Sequence, residues 1–103
     1  MIGAVYTQGT GFNIIDCPVP EIKENELLLR VMASSICGTD VRIIKNGQRK
    51  LNSGESVILG HEFAGIVEKV GRDVKGFEAG MRVGVAPNIG CGQCECCIQG
   101  LTN

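Results

Sequence analysis

The sequence predicts a mostly antiparallel β-barrel or curled β-sandwich with little helix. Short apolar runs recur along the chain, each bounded by glycine, proline, asparagine or aspartate, which is the pattern of short strands joined by tight turns. Fifteen glycines stand beside three phenylalanines, one tyrosine and no tryptophan, a balance that suits turns better than long packed helices. Only one segment, "CGTDVRIIKNG", has helical spacing.

Taken in order, "IGAVY" reads as a first strand and "FNIIDCPV" as a second, ended by Pro18 and Pro20. The intervening "TQGTG" half-matches a dinucleotide fingerprint through Gly9 and Gly11. Ile14 fills the third glycine position, however, and β-branched residues follow instead of a helix, so a hairpin is predicted. "ELLLRVMAS" is apolar enough to predict a third strand buried on both faces for part of its length. In "CGTDVRIIKNG", Thr39 or Asp40 can cap a short helix, Val41, Ile43 and Ile44 give it an apolar face, and Asn46-Gly47 end it. "QRKLNSGES" is a loop, "VILGHEFAGIVEKVG" holds strand on either side of Gly60 and Gly65, "RDVKGFEAG" turns the chain, and "MRVGVAP" is a last strand. No repeat or low-complexity tract interrupts this order.

A chain of 103 residues holds one domain at most. Hydrophobic residues at 44% and charged residues at 20% fit a globular chain and argue against disorder. A formal net charge of −1 offers no electrostatic footprint for nucleic acid or an anionic membrane. The start shows no basic region ahead of an apolar one, and no apolar run is long enough to span a bilayer. A cytoplasmic setting follows, and in it the six cysteines are expected as metal ligands or reactive thiols rather than disulfides.

The lone histidine, His61, sits beside Glu62, 24 positions after Cys37. "HEFAG" does not continue into a metalloprotease helix, because Gly65 stands where the second histidine would be. Cys37 opens "CGTD" at the end of a strand, and Gly38 lets the backbone pass close to whatever the thiolate holds. Zn²⁺ takes thiolate and imidazole together, and a catalytic site uses three protein ligands with one position left open. Cys37 and His61 would be two of the three. Glu62 would be a transient ligand or a nearby charge, and Asp40 is placed to orient the imidazole. Cys17, beside Pro18 in an apolar run, reads as a small buried residue.

"ICGTD", "GHEFAGIVEKVG", "VKGFEAGMRV" and "CGQCECC" stand in the order and spacing of the zinc-dependent medium-chain alcohol and polyol dehydrogenases, which the chain resembles from Met1 to Asn103. The resemblance implies a mainly β, GroES-like, partly open barrel with one short helix, truncated. Residues 1–103 would be the N-terminal portion of the catalytic domain, about a third of such an enzyme, with the Rossmann domain absent. It places the catalytic zinc on Cys37 and His61, the start of a proton relay on Thr39, and the acidic neighbour of the zinc on Glu62. The third protein ligand would come later in the family's chain. One departure is visible: the family reads Gly-Asp-Arg-Val where this chain has "GMRV", so Met81 removes an acid that would support the turn.

The family's structural zinc lobe spaces four thiolates C-x₂-C-x₂-C-x₇-C. Cys91, Cys94 and Cys97 fit the first three, while the fourth would fall two residues past Asn103, so a lobe over 88–103 would be incomplete and at best weakly metallated. Cys96 lies outside the spacing and reads as a spare thiol. A nucleic-acid zinc ribbon needs a second C-x₂-C pair and a basic face, and neither is present.

What the resemblance implies for function is hydride transfer between a zinc-held alcohol or polyol and NAD or NADP, the nicotinamide being bound by the absent domain. The 103-residue chain alone is then expected to be inactive. An open sheet edge is expected to drive self-association into a homo-oligomer. Two other readings share the fold: a zinc-free quinone or enoyl reductase, and a co-chaperonin-like binding module that needs no metal.

Overall fold

The computed structural model describes residues 1–101, so Thr102 and Asn103, the last two positions of the 88–103 lobe, lie outside the described residues. Six strands and one nine-residue helix appear in the order β1 (Ile2–Thr7), β2 (Gly11–Asp16), β3 (Leu27–Ser34), α1 (Gly38–Asn46), β4 (Ser56–Ile58), β5 (Phe63–Val70) and β6 (Arg82–Gly84). A four-residue helical turn, α2 (Glu95–Ile98), follows within the cysteine cluster. The strands form two antiparallel three-stranded sheets, ordered β2-β1-β4 and β3-β5-β6. They do not close on each other. The Cα radius of gyration, 15.8 Å, exceeds the roughly 13 Å of a closed domain of about 100 residues.

The expected hairpin is present, with Thr7 paired to Gly11 and Ile2 to Asp16. Gly9 and Gly11 hold φ of +89° and +104°, a left-handed backbone that glycine adopts without a Cβ clash, and this is why the glycines stand there. The "VILGHEF" stretch changes sheets. β4 pairs with β1, β5 pairs with β3, and Gly60 turns between them at φ +102°. His61 therefore lies where the chain crosses from one sheet to the other.

Two expectations about burial are corrected. β3 is not covered on both faces: Leu28 is buried, but Val31 and Met32 are 53% and 60% exposed. β3 is an edge strand bonded only to β5, and an apolar cleft of about 650 Å³ runs along it, lined by Leu27, Leu29, Val31, Phe63 and Val85 among others. Of the apolar face proposed for α1, only Ile43 is buried, while Val41 and Ile44 are exposed. The buried apolar residues are Val5, Tyr6, Leu28, Ile43 and Val67, contributed by both sheets and α1. Cys17 is half-buried, with its Sγ packed where a side chain at Gly3 would have to go.

The N-cap of α1 is Cys37, not Thr39 or Asp40, because the helix begins at Gly38. Asp40 instead takes the third helical position, and its Oδ2 reaches back to accept the Cys37 N–H at 3.0 Å, the returning half of a capping box. At the other end Gly47, φ +82°, donates its N–H to the Ile43 carbonyl and stops the helix as expected.

Met81 makes good the acid missing from its turn. Its Sδ accepts the Glu78 N–H at 3.4 Å, while the Met81 N–H donates to the Glu78 carbonyl at 3.2 Å. A thioether is a weak acceptor and a carboxylate a strong one. Met81→Asp is therefore expected to stabilise the fold by about 0.5–1.5 kcal/mol, a rise of roughly 2–12 °C in Tm in a thermal melt. An unchanged or lowered Tm would show that the turn gains nothing from the acid.

Candidate metal centre

Two groups of metal-ligating side chains converge. The first draws on distant parts of the sequence: Cys37 at the cap of α1, and His61 and Glu62 on the crossing that leads into β5. One ligand atom from each lies within 4.8 Å of the others. Around tetrahedral zinc, with bonds of about 2.0–2.3 Å, such atoms would sit roughly 3.3–3.8 Å apart, so a contraction of at most about 1–1.5 Å closes the set. The donors are one thiol, one imidazole and one carboxylate, and the set suits a borderline-soft divalent cation. Where the resemblance puts the third protein ligand later in the chain, the geometry offers a third donor, Glu62, from within it.

Asp40 is the one buried charged residue among those described, 6% exposed, and it joins these pieces. Its Oδ2 holds the Cys37 N–H, and its Oδ1 lies 3.5 Å from His61 Nδ1. With Nδ1 turned to the carboxylate, Nε2 remains as the ring's free donor atom. Thr39 stands exposed in the first turn of α1, two residues from Cys37, and its hydroxyl has no hydrogen bond among the described residues. Apart from its chain neighbours and its own helix backbone, no atom of the described residues lies within 4 Å of a Cβ placed at Gly38, so the space on that side of the helix start is open.

Glu62 is held from the β3 side. The Ser35 hydroxyl donates to its Oε2 at 2.5 Å. That bond first, and the neighbouring Cys37 thiol second, keep the Glu62 carboxyl below the ordinary carboxylate range. Ser35 is a residue the sequence does not flag. Its only signal is position, immediately after β3 and opposite the residue that opens β5.

The second group is local. Cys97 Sγ lies 3.8 Å from Cys91 Sγ and 3.5 Å from Cys94 Sγ. Tetrahedral zinc–thiolate bonds of about 2.3 Å put sulfurs roughly 3.8 Å apart, so the three thiols are already spaced for a common ion. Gly92, φ +74°, turns the chain so that backbone N–H groups face the Cys91 sulfur, with the Cys94 N–H 3.3 Å away. Hydrogen bonds from the Gln93 backbone first, then from Cys94, and the Cys94 and Cys97 thiols lower the Cys91 pKa to about 7. The turn α2, capped by Cys94, carries Cys97 back to its partners. Cys96, on the same turn, is exposed and outside the trio.

The sequence profile of the alcohol dehydrogenase GroES-like domain matches residues 23–103. The chain belongs to this family. It is 41% identical over 104 residues to the sorbitol dehydrogenase of Bacillus subtilis, a match covering all of this chain and 30% of that one. It is 41% identical over 91 residues to the L-threonine 3-dehydrogenase of the same organism, covering 87% of this chain and 26% of the relative. The family fold is equally plain in solved structures. The apo form of zinc dependent alcohol dehydrogenase 2 from Streptococcus pneumonia superposes with a TM-score of 0.79 at 37% identity, over 97% of this chain and 28% of the other. A putative zinc-binding dehydrogenase from Sinorhizobium meliloti, bound to NADP, superposes at 0.83 and 33% identity, over 98% and 29%. The chain spans about 30% of the length of the sorbitol dehydrogenase it matches. Among the described residues no helix is long and apolar enough to cross a membrane.

Proposed function

We propose that this chain is the metal-holding part of a zinc-dependent NAD- or NADP-linked alcohol or polyol dehydrogenase. The observation that carries the reading is the convergence of Cys37 with His61 and Glu62, from two segments far apart in sequence, with Asp40 buried behind them. When bound, zinc supplies Lewis acidity toward a substrate hydroxyl, and the nicotinamide supplies the hydride acceptor. The chain's own residues do the rest. Cys37, His61 and Glu62 would hold the ion, and Asp40, its Oδ1 3.5 Å from Nδ1, would orient the imidazole. Thr39, exposed beside Cys37, takes the proton released by the substrate hydroxyl and passes it outward.

Residues 1–103 form, on this reading, the N-terminal portion of a catalytic domain, and Cys91, Cys94 and Cys97 of the 88–103 lobe share a structural zinc with a fourth ligand from beyond residue 103. The dinucleotide-binding domain lies outside the chain. The relatives act on sorbitol and L-threonine by name, which supports an alcohol or polyol as the substrate class. Six unpaired thiols agree with a cytoplasmic setting, and the free edge of β3 with a homo-oligomer.

Because His61 is the only histidine, its ring nitrogens give unambiguous NMR signals. Zn²⁺ is expected to shift the His61 Nε2 resonance in the wild-type chain and to leave it in place in Cys37→Ser. An NAD(P)-reduction assay of the chain alone is expected to stay at background. An imidazole unmoved by saturating Zn²⁺ would sink the metal reading and favour a zinc-free reductase of the same fold.

A further inference from the structure

β3 and β5 run antiparallel with Ser34 opposite Phe63. One step beyond both strand ends the pairing continues, for the Ser35 N–H donates to the Glu62 carbonyl at 2.9 Å. Ser35 and Glu62 are thus directly opposed, and cross-strand partners project their side chains to the same face. There the Ser35 hydroxyl donates to Glu62 Oε2 at 2.5 Å, the length of a charge-assisted O–H···O⁻ bond. Two bonds, one from the backbone and one from the side chain, lock this pair in register. Apart from the neighbouring Cys37 thiol, itself a ligand of the proposed site, no hydrogen bond among the described residues engages Oε1.

We propose that Ser35 is a positioning residue for Glu62, whose hydroxyl occupies Oε2 so that Glu62 offers a divalent cation at Cys37 and His61 a single oxygen. This rests on the reading that the cation sits there. The coordination count gives the consequence. One sulfur, one nitrogen and one carboxylate oxygen leave one of four tetrahedral positions for substrate, whereas a carboxylate binding through both oxygens would fill it. A serine hydroxyl is suited to the task because, unlike a thiol that has become a ligand, it keeps its proton when the cation arrives. Ser35 thereby guards the open position without touching it.

Co²⁺ titration of the chain tests this, because the intensity of cobalt visible absorption reports coordination number. Cys37→Ser serves as the blank for cobalt held by other thiols. The wild type is expected to show a strong tetrahedral band that depends on Cys37. Ser35→Ala, an exposed substitution, is expected to lower that band at least about twofold toward the weaker five-coordinate pattern. Ser35→Thr keeps the hydroxyl and is expected to restore it. In a Glu62→Gln background the Ser35→Ala change is expected to have no further effect, which a merely structural role for Ser35 would not produce. A Cys37-dependent band identical in wild type and Ser35→Ala overturns the role of Ser35 while leaving the metal site standing. No Cys37-dependent band in the wild type removes the metal reading, and the role of Ser35 with it.

Discussion

Asp40→Ala is expected to destabilise the fold by about 1–3 kcal/mol and to weaken divalent metal binding at Cys37 and His61 by roughly 10–100-fold. Asp40 is 6% exposed and serves two partners, the Cys37 N–H at 3.0 Å and His61 Nδ1 at 3.5 Å. Alanine removes the reach-back bond at the start of α1, a helix-capping loss of about 0.5–2 kcal/mol. The same loss leaves the part-buried Cys37 N–H unpaired, which carries the cost toward that of an unsatisfied donor, about 1–3 kcal/mol. The metal effect arises separately. Without the carboxylate the imidazole is free to rotate, and the free donor is no longer fixed as Nε2. Asp40→Asn keeps one acceptor oxygen and so serves one partner at a time, and its stability loss should be about half that of alanine. Urea midpoints measure the first effect, and competition with a chromophoric chelator measures the second. If Asp40→Ala unfolds at the wild-type midpoint and binds zinc with wild-type affinity, Asp40 neither caps the helix nor orients the ring.

What the sequence discloses about this chain follows from how local each feature is. The hairpin at Gly9 and Gly11 is encoded over a few residues, and turn chemistry is enough to read it; the thiol trio at Cys91, Cys94 and Cys97 is as local, but only the resemblance to a family separated it from Cys96. The meeting of Cys37 with His61 spans 24 positions and depends on Gly60 passing the chain from one sheet to the other. Pairing at that range leaves no periodic trace, and the resemblance to a family supplied what spacing alone could not. The exposure of β3 is illegible for a different reason. "ELLLRVMAS" records an affinity for apolar cover, but only the sheet order reveals that one edge and much of one face have none within residues 1–101. The half-exposed face of α1 fails in the same way. Ser35 and the sulfur of Met81 were hidden because each acts through a hydrogen bond across a turn or between strand ends, and hydropathy is silent about both.

Gly65→Ala is expected to be as damaging as the loss of Asp40, at about 1–3 kcal/mol. Gly65 is buried in β5, between Val31 of β3 and Val83 of β6. A Cβ there would lie 2.5 Å from the Arg30 carbonyl oxygen, 3.1 Å from its carbon and 3.3 Å from Val31 Cα. All three are backbone atoms, so no side chain can swing aside, and only separation of the strands relieves the overlap. Its φ lies outside the left-handed region, which makes the cost steric rather than conformational. The nearer end of the same strand pair, three positions from Gly65, holds the Ser35–Glu62 bond and leads into Cys37. Strands forced apart at Gly65 should therefore draw the thiol and the imidazole away from each other, and metal affinity should fall together with stability. Gly84→Ala is the matched control, since it lies in β6 with no atom of the described residues, its chain neighbours aside, within 4 Å of its added Cβ and no left-handed φ. It is expected to shift stability by less than about 0.5 kcal/mol. Urea melts and zinc affinities of the two variants decide the matter, and equal behaviour would mean that β3 and β5 are not held as closely as the Arg30 contact requires.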